Sequence, residues 1–292
     1  MLAMDDELKE ERSVELRQFQ LFQLDILNEF KRVCDEHNLR WWLAYGSLLG
    51  AARHEGFIPW DDDIDVLMPA EDYLKFREVC VKGALSEGFY IQSHALNPCN
   101  FIGWQRIGVD SSTSLPYEYA DIHAEWGVCI DIFPLFPAAP RGEHMASRTN
   151  KIRKRFDRLT AKYLYRHRIP MQDSALKRLY YRIMGAMPDS LNVLLWSKAE
   201  KSVLKPDGSA NWLMGSFDDP CLYPPELFSR TITLPFEGMQ LPVPEGYRDI
   251  LEICYGSEWA ELPPEEKRVC HSGGGSAEVM VSLADPYCLY LK

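Results

Sequence analysis

Apolar residues recur along the first half of the chain with two different periods, which predict helices and strands in turn. Residues 5 to about 38 carry apolar side chains at helical spacing, with most charges on the other faces, and predict a long amphipathic helix. Shorter apolar runs predict strands, at 41–45, 64–69, 89–94, 101–109 and 128–136. Pro134 and Pro137 are expected to end the last strand, because proline donates no hydrogen bond to a sheet.

Two further helices are predicted between the early strands. Ser47 is a suitable N-cap for a helix over 48–54, and a second helix is expected from Asp72 to Val81. The order helix, strand, helix, strand, helix and then several strands is typical of an α/β (α+β) fold, in which helices flank a mixed β-sheet.

The character of the chain changes after residue 140. Residues 141–182 contain 13 Lys/Arg against 3 Asp/Glu. Apolar side chains recur there at helical spacing, at Ile152, Phe156, Leu159 and Tyr163. We therefore expect a helix over about 148–166 with a basic outer face. Such a face is either solvated or in contact with an anionic polymer or a membrane surface.

The C-terminal part predicts strands again, with a hairpin that turns at Glu237-Gly238 and a helix near 245–255. We expect 1–140 to form the catalytic core with its N-terminal helix. Residues 141–210 are expected to form a basic helical insertion, and 211–292 to complete the same domain.

Composition narrows the class of protein. The 292 residues are 46% hydrophobic, which predicts a folded globular protein, and the net charge of −11 argues against a nucleic-acid binder. No apolar run approaches the roughly 20 residues that span a bilayer. The first residues are charged and lack the hydrophobic segment of a signal peptide, so the expected location is cytoplasmic, with peripheral contact at the inner membrane face through the basic 148–166 helix.

The candidate chemistry is concentrated in GSLLGAARHEGFIPWDDDID, residues 46–65. Gly46 and Ser47 lie between an apolar strand and a helix, where backbone N–H groups favour a bound phosphate. In an extended strand Asp61, Asp63 and Asp65 would share one face, at a cost in stability unless a cation lies among them. A solvated acidic turn is the alternative, but this run leads into an apolar strand. Carboxylate oxygens suit Mg²⁺ or Mn²⁺.

Three further residues are candidates for the same site. Asp131 is a lone carboxylate in an apolar strand, so it either caps a neighbouring backbone group or supplies a third carboxylate, if its strand lies beside 64–69. In the site it would bind metal or act as general base on an acceptor hydroxyl. Arg53 and Arg106 are candidates for contact with a phosphate, although Arg53 would equally complement the end of a helix.

At these residues the sequence resembles the LicD family, which includes bacterial phosphocholine transferases and is related to the fukutin group. The matching segments are GSLLGA (46–51) with Arg53, GFIPWDDDIDV (56–66), MP (68–69), DY (72–73) and IDIFPL (130–135). Tail segments also match, at 242–244, 255–256 and 262–264 before His271. Fifteen residues separate Ser47 from Asp63, which is the LicD spacing and is longer than that of other nucleotidyltransferases.

The resemblance implies a nucleotidyltransferase-like fold, with Gly46-Ser47 and Asp63/Asp65 as the phosphate and metal site. It also implies transfer of a phospho-alcohol such as phosphocholine from a CDP-linked donor to a hydroxyl of a cell-surface glycan or a lipid-linked precursor, without nucleic acid. Two alternatives stay open at this point. One is nucleotidyl transfer that releases pyrophosphate from a nucleoside triphosphate, and the other is a non-catalytic member of the fold that binds a nucleotide or glycan.

Overall fold

A computed structural model describes most of the chain, namely residues 16–100, 102–116, 119–138, 158–159, 162, 174–204, 212–215, 221–268 and 279–291. No helix within these residues is long and apolar enough to cross a membrane. Most of the predicted basic helix over 148–166 lies outside the described residues. His271 lies outside them as well.

Helices and strands alternate through the first half of the described chain, as predicted. The elements are α1 (Leu16–His37), β1 (Trp42–Leu43), α2 (Tyr45–His54), β2 (Asp65–Pro69), α3 (Ala70–Val79), β3 (Phe89–Gln92), β4 (Gln105–Val109), β5 (Thr113–Pro116) and β6 (Cys129–Ala138). The second half adds α4 (Ala175–Gly185), α5 (Asp189–Val203), β7 (Trp212–Met214), β8 (Thr231–Phe236), β9 (Met239–Pro244), α6 (Tyr247–Tyr255) and β10 (Val279–Ser282).

The central sheet has the strand order β1-β2-β6-β4-β3, with β7 paired to the far end of β6. Strands β2 and β6 are parallel, and β1, β3, β4 and β7 pair antiparallel with their neighbours. The predicted mixed sheet and α/β class are therefore confirmed. Two strands were not predicted, β5 and β10, which pair with each other away from the central sheet.

The expectation that Pro134 and Pro137 end β6 is wrong, because the strand continues to Ala138. Strand β4 pairs with β6 only from Cys129 to Ile132. Beyond that point, among the strands of the described residues, Pro134 is paired with β2 alone and Pro137 with β7 alone. Each proline therefore lies where β6 has one neighbouring strand, and its missing N–H costs no ladder hydrogen bond on the open side.

One core joins both ends of the described chain. Helix α1 buries Ile26, Leu27 and Phe30 completely, and the Phe30 ring packs edge-on against Trp41. The β8–β9 hairpin and α6 add their own fully buried side chains to the same core, namely Phe236, Leu241, Val243 and Leu251. The hairpin turns at Glu237 and Gly238, both in the left-handed region with φ of 50° and 79°, as the sequence predicts.

Helix α5 is held against this core by a buried ion pair. Arg77 of α3 donates from Nη1 and Nη2 to the two carboxylate oxygens of Glu200, at 2.8 and 2.7 Å. Nearby, the buried His94 ring contacts the Asn192 side chain and packs against Trp196. Burial raises the pKa of Glu200 in spite of its arginine partner. The ionised form of this buried carboxylate therefore depends on Arg77 for stabilisation.

Glu200→Ala is expected to lower the free energy of unfolding by about 3 kcal/mol, because it leaves the Arg77 guanidinium buried and uncompensated. Urea denaturation followed by circular dichroism measures the change. Glu78→Ala is the control, since it breaks an exposed pair with Lys82 and should leave the midpoint unchanged. Equal effects of the two substitutions would contradict a structural role for the Arg77–Glu200 pair.

Candidate active site

The turn between β1 and α2 differs from its prediction in one respect. Helix α2 begins at Tyr45 with the extended Ala44 in the N-cap position, so the expectation of Ser47 as N-cap is wrong. The Ala44 N–H donates to the Asp65 carbonyl at 3.0 Å, which extends the β1–β2 pairing up to the start of the helix. Ser47 instead accepts a hydrogen bond on Oγ from the Asp65 N–H at 2.9 Å. The hydroxyl thereby ties the first turn of α2 to the first residue of β2.

Gly46 makes room for a carboxylate at the amino end of α2. A Cβ atom on Gly46 would lie 2.6 Å from Asp61 Oδ2, so any side chain at this position would displace the Asp61 carboxylate. The Asp61 backbone is held from the other side, where its carbonyl accepts a hydrogen bond from the buried Gln20 side chain at 2.8 Å. The structure therefore places an aspartate at the helix end for which the sequence predicts a phosphate.

Four carboxylates lie close together at the start of β2. Asp65 is directly in register with Asp131 of the parallel strand β6. Burial raises the pKa of Asp65 well above its usual range, and the charges of Asp63, Asp131 and Asp61 raise it further. Burial and the charge of Asp62 raise the pKa of Asp61 to about 6. Like charges are thus gathered around the buried Asp61 and Asp65.

The route by which these carboxylates meet is not the predicted one. The extended strand begins only at Asp65, so alternation along 61–65 does not bring the side chains together. Asp61 and Asp62 are both buried, which a simple alternation would not give, and Asp63 is half-buried. Asp131 lies on β6. The prediction placed Asp131 in the site only if its strand lay beside 64–69, and β6 does pair with β2.

Asp131 is bound by Arg106, which lies opposite it on the antiparallel strand β4. Arg106 donates from Nε to Asp131 Oδ1 at 2.5 Å and from Nη2 to Oδ2 at 3.2 Å. Although burial alone would lower it, the pKa of Arg106 is raised by the Asp131 carboxylate. This guanidinium also lies 5.9 Å from the centre of the Trp104 ring. The predicted phosphate ligand Arg106 is therefore engaged with the predicted catalytic Asp131.

A cleft of about 280 Å³ opens beside this ion pair. Its charged lining consists of Asp62, Asp63, Glu125, Asp131 and Arg106, and its aromatic lining of Phe19 and Trp126. Glu125, Trp126 and Phe19 have no motif in the sequence that marks them. Only the packing of α1 and of the segment before β6 against the sheet brings them to the acidic residues.

Gln23 of α1 is a further cleft residue that sequence reasoning missed. Its Nε2 donates to the Cys129 carbonyl at 3.1 Å, which fixes the orientation of the amide. Its Oε1 is buried and meets no hydrogen-bond donor within the described part of the chain. Because a buried acceptor without a donor is costly, this oxygen is suited to a donor that a substrate brings into the cleft.

Glu125 is oriented by two amide side chains. The Asn97 and Asn100 side chains donate to its two carboxylate oxygens at 3.1 and 3.3 Å. The Gln92 side chain donates to its backbone carbonyl at 2.9 Å. The carboxylate is thus held in the cleft by neutral donors.

Arg53 contacts the segment after α6, and Tyr255 at the end of that helix lies near the acidic cluster. Arg53 donates from Nη1 to the backbone carbonyls of Trp259 and Glu261, at 3.3 and 2.9 Å, and burial lowers its pKa. Burial raises the pKa of Tyr255, and the charges of Cys254, Asp65, Asp61 and Asp63 raise it further. The predicted phosphate ligand Arg53 therefore anchors the C-terminal chain, and Tyr255 is a neighbour of the acidic cluster that the sequence did not single out as catalytic.

The acidic cluster fits a divalent cation by charge and by ligand chemistry. Its oxygens are hard ligands, and burial together with the charges of neighbouring carboxylates raises the pKa values of Asp61 and Asp65. Within the described residues no three His, Cys, Asp or Glu side chains are arranged around one point as a complete ligand set. Mg²⁺ usually needs only one or two carboxylates, because substrate phosphates and water supply the other ligands.

Comparison with known proteins gives one family and several relatives. Residues 38–159 match the family described as "LicD/FKTN/FKRP, nucleotidyltransferase domain". The chain is 27% identical over 266 residues to the lipopolysaccharide cholinephosphotransferase LicD of Haemophilus influenzae, an alignment of 89% of this chain and 97% of the relative. It is 52% identical over 40 residues to the ribitol 5-phosphate transferase FKRP of Homo sapiens, which is 14% of this chain and 8% of the relative. An uncharacterized protein of Rickettsia typhi is 35% identical over 75 residues, 24% of its length.

Proposed function

Because residues 38–159 carry the nucleotidyltransferase domain of the LicD family, we propose that the protein transfers phosphocholine from a CDP-linked donor to a hydroxyl of a cell-surface glycan or its precursor. The proposal rests on one observation above all. Asp63, Asp131 and Arg106 line one cleft beside Asp65, in a chain that is similar over 89% of its length to a cholinephosphotransferase.

In this proposal Asp63 and Asp65, with Asp61 behind them, hold Mg²⁺ or Mn²⁺. The ion, when bound, neutralises the donor diphosphate and the charge that develops on the departing CMP. Gly46 leaves the space in which Asp61 lies, and Ser47 fixes the backbone of Asp65 through its hydroxyl. The role of these residues is positioning and charge compensation.

Asp131 is the proposed general base. Arg106 fixes the orientation of the Asp131 carboxylate, which lines the cleft. The acceptor hydroxyl gives its proton to Asp131 while its oxygen forms a bond to the phosphorus that carries choline. The bond from that phosphorus to the CMP oxygen breaks, and CMP leaves with the electron pair.

The aromatic and acidic side chains that line the cleft favour a donor whose alcohol is cationic. A quaternary ammonium binds favourably against aromatic faces and near a carboxylate, and it needs no hydrogen-bond acceptor. Phe19, Trp126 and Glu125 supply these groups in the lining of the cleft. Ribitol and glycerol carry no charge and would gain no charge–charge attraction from Glu125.

Glu125→Gln is expected to lower kcat/KM for CDP-choline about tenfold and to leave kcat/KM for CDP-ribitol unchanged. The substitution keeps the shape and removes the charge that attracts the ammonium, and about 1.4 kcal/mol corresponds to that factor. CMP release from each donor measures it. Exposed Glu87→Gln serves as the control, and an equal loss with both donors would contradict an ammonium site at Glu125.

The function itself is tested by Mg²⁺-dependent CMP release from a panel of CDP-alcohols, with and without glycan acceptors. CMP release that depends on CDP-choline and on an acceptor would support the proposal and identify the acceptor. Turnover of CTP or ATP to pyrophosphate, without CMP release from any CDP-alcohol, would replace it with nucleotidyl transfer. Binding of a CDP-alcohol without turnover of any of these substrates would indicate a non-catalytic role.

A further inference from the structure

Helix α4 presents an apolar stripe to solvent. Four large apolar side chains recur on it at i, i+3, i+4 and i+7, and their exposed fractions are 80% for Leu176, 55% for Leu179, 37% for Tyr180 and 61% for Ile183. This is the spacing of one helix face. In a helix that packs on a protein core through its apolar face, these four side chains would be buried.

Helix α5 also exposes apolar side chains on its outer side. Its inner face is anchored by the buried Trp196 and by the Glu200–Arg77 pair. Its outer face carries three exposed leucines at i, i+3 and i+4, with exposed fractions of 43% for Leu191, 63% for Leu194 and 40% for Leu195. Seven large apolar side chains are thus exposed on two consecutive helices, one of which is held firmly to the fold. We call these seven side chains the α4–α5 face.

The charges around the α4–α5 face are basic, although the chain as a whole has a net charge of −11. Five cationic side chains lie on the two helices, namely Lys177, Arg178, Arg182, Lys198 and Lys201. The two acidic side chains of α4 and α5 are already engaged, Asp189 by Lys162 and Glu200 by Arg77. Basic side chains flanking an exposed apolar helix face are typical of helices that lie in the plane of an anionic membrane surface.

We propose that the α4–α5 face docks on an anionic lipid bilayer, with the apolar side chains in the headgroup region and the lysines and arginines on lipid phosphates. The tyrosines at 180 and 181 suit the same depth, because an aromatic ring with a polar hydroxyl favours the interface. This inference does not depend on the reaction. The predicted membrane contact lies at 148–166, whereas the contact proposed here lies on α4 and α5, which follow residue 174.

Vesicle flotation tests the proposal on the full-length protein. Wild type is expected to float with phosphatidylcholine vesicles that contain phosphatidylglycerol, and to float less in high salt and with pure phosphatidylcholine. Leu179→Glu/Ile183→Glu is expected to weaken flotation at least about tenfold, since both charges would enter the interface. Leu289→Glu is the matched control, because that leucine is 67% exposed but remote in sequence, and it should float like wild type.

A second variant separates membrane docking from misfolding. Lys177→Gln/Arg182→Gln removes two exposed charges, so its circular dichroism should match wild type, and its flotation on anionic vesicles should fall about 30-fold, at roughly 1 kcal/mol for each of the two cations. Absence of wild-type flotation, or undiminished flotation of both variants, would overturn the proposal. A dimer in light scattering that Leu179→Glu/Ile183→Glu abolishes, without vesicle binding, would assign the face to a second copy of the chain instead.

Discussion

Asp65→Asn is expected to reduce transfer at least about 10³-fold and, in the absence of Mg²⁺, to raise the melting temperature. The two effects have one cause. Burial of Asp65, together with the charges of Asp63, Asp131 and Asp61, keeps its pKa well above the usual range. At neutral pH its ionised form therefore destabilises the folded protein relative to the unfolded chain, whose carboxylate is solvated.

The asparagine keeps the shape and the backbone hydrogen bond from residue 65 to Ser47, so the local fold is preserved. What it removes is a negatively charged oxygen on which the proposed cation depends. Asp63→Asn is expected to cause a similar loss of transfer with a smaller gain in stability, because Asp63 is only half-buried.

Two measurements check this prediction on the same samples, CMP release and thermal unfolding with and without Mg²⁺. The stabilisation of wild type by Mg²⁺ should disappear in Asp65→Asn. Asp35→Asn is the control, since that carboxylate is exposed on α1 and pairs with Lys31 at the surface. Retained transfer in Asp65→Asn, or a lower melting temperature without Mg²⁺, would exclude the proposed role of this cluster.

Arg106→Met is expected to lower the free energy of unfolding by about 3 kcal/mol and to reduce transfer about 10²–10³-fold. The substitution leaves the Asp131 carboxylate in the interior without its bidentate partner and beside Asp65. The loss of stability arises from that uncompensated charge, and the loss of activity from a base that is no longer held in place.

Asp131→Asn is expected to cause a comparable loss of transfer with a smaller loss of stability, because an amide still accepts a hydrogen bond from Arg106. The double variant Arg106→Met/Asp131→Asn should then be more stable than Arg106→Met alone, since no carboxylate remains to be compensated. Urea unfolding and single-turnover CMP release measure both quantities. Arg230→Met, which breaks an exposed pair with Glu245, is the control. Strictly additive stability losses would contradict the coupling of Arg106 to Asp131.

Some features of the fold and of the candidate site were predictable because their causes are local in the sequence. The period of apolar residues predicts α1, and the Glu237-Gly238 pair predicts the β8–β9 turn, since each depends on neighbours within a few positions. The limits of β6 were not predictable, because proline ends a strand only where a neighbouring strand needs its N–H. The N-cap of α2 was missed for a similar reason, since pairing between β1 and β2 sets where that helix begins.

The sequence by itself determined the chemical inventory: a run of aspartates before an apolar strand, a second aspartate in another apolar strand, and a pattern that resembles one family. Only the tertiary structure decided how these groups act on each other. It placed Asp61 at the amino end of α2, Arg106 on Asp131, Arg53 on the C-terminal chain, and Phe19, Gln23, Glu125 and Trp126 around the cleft. The reason is physical, because charge interactions and burial depend on distances between residues that strand pairing and helix packing bring together from remote parts of the chain.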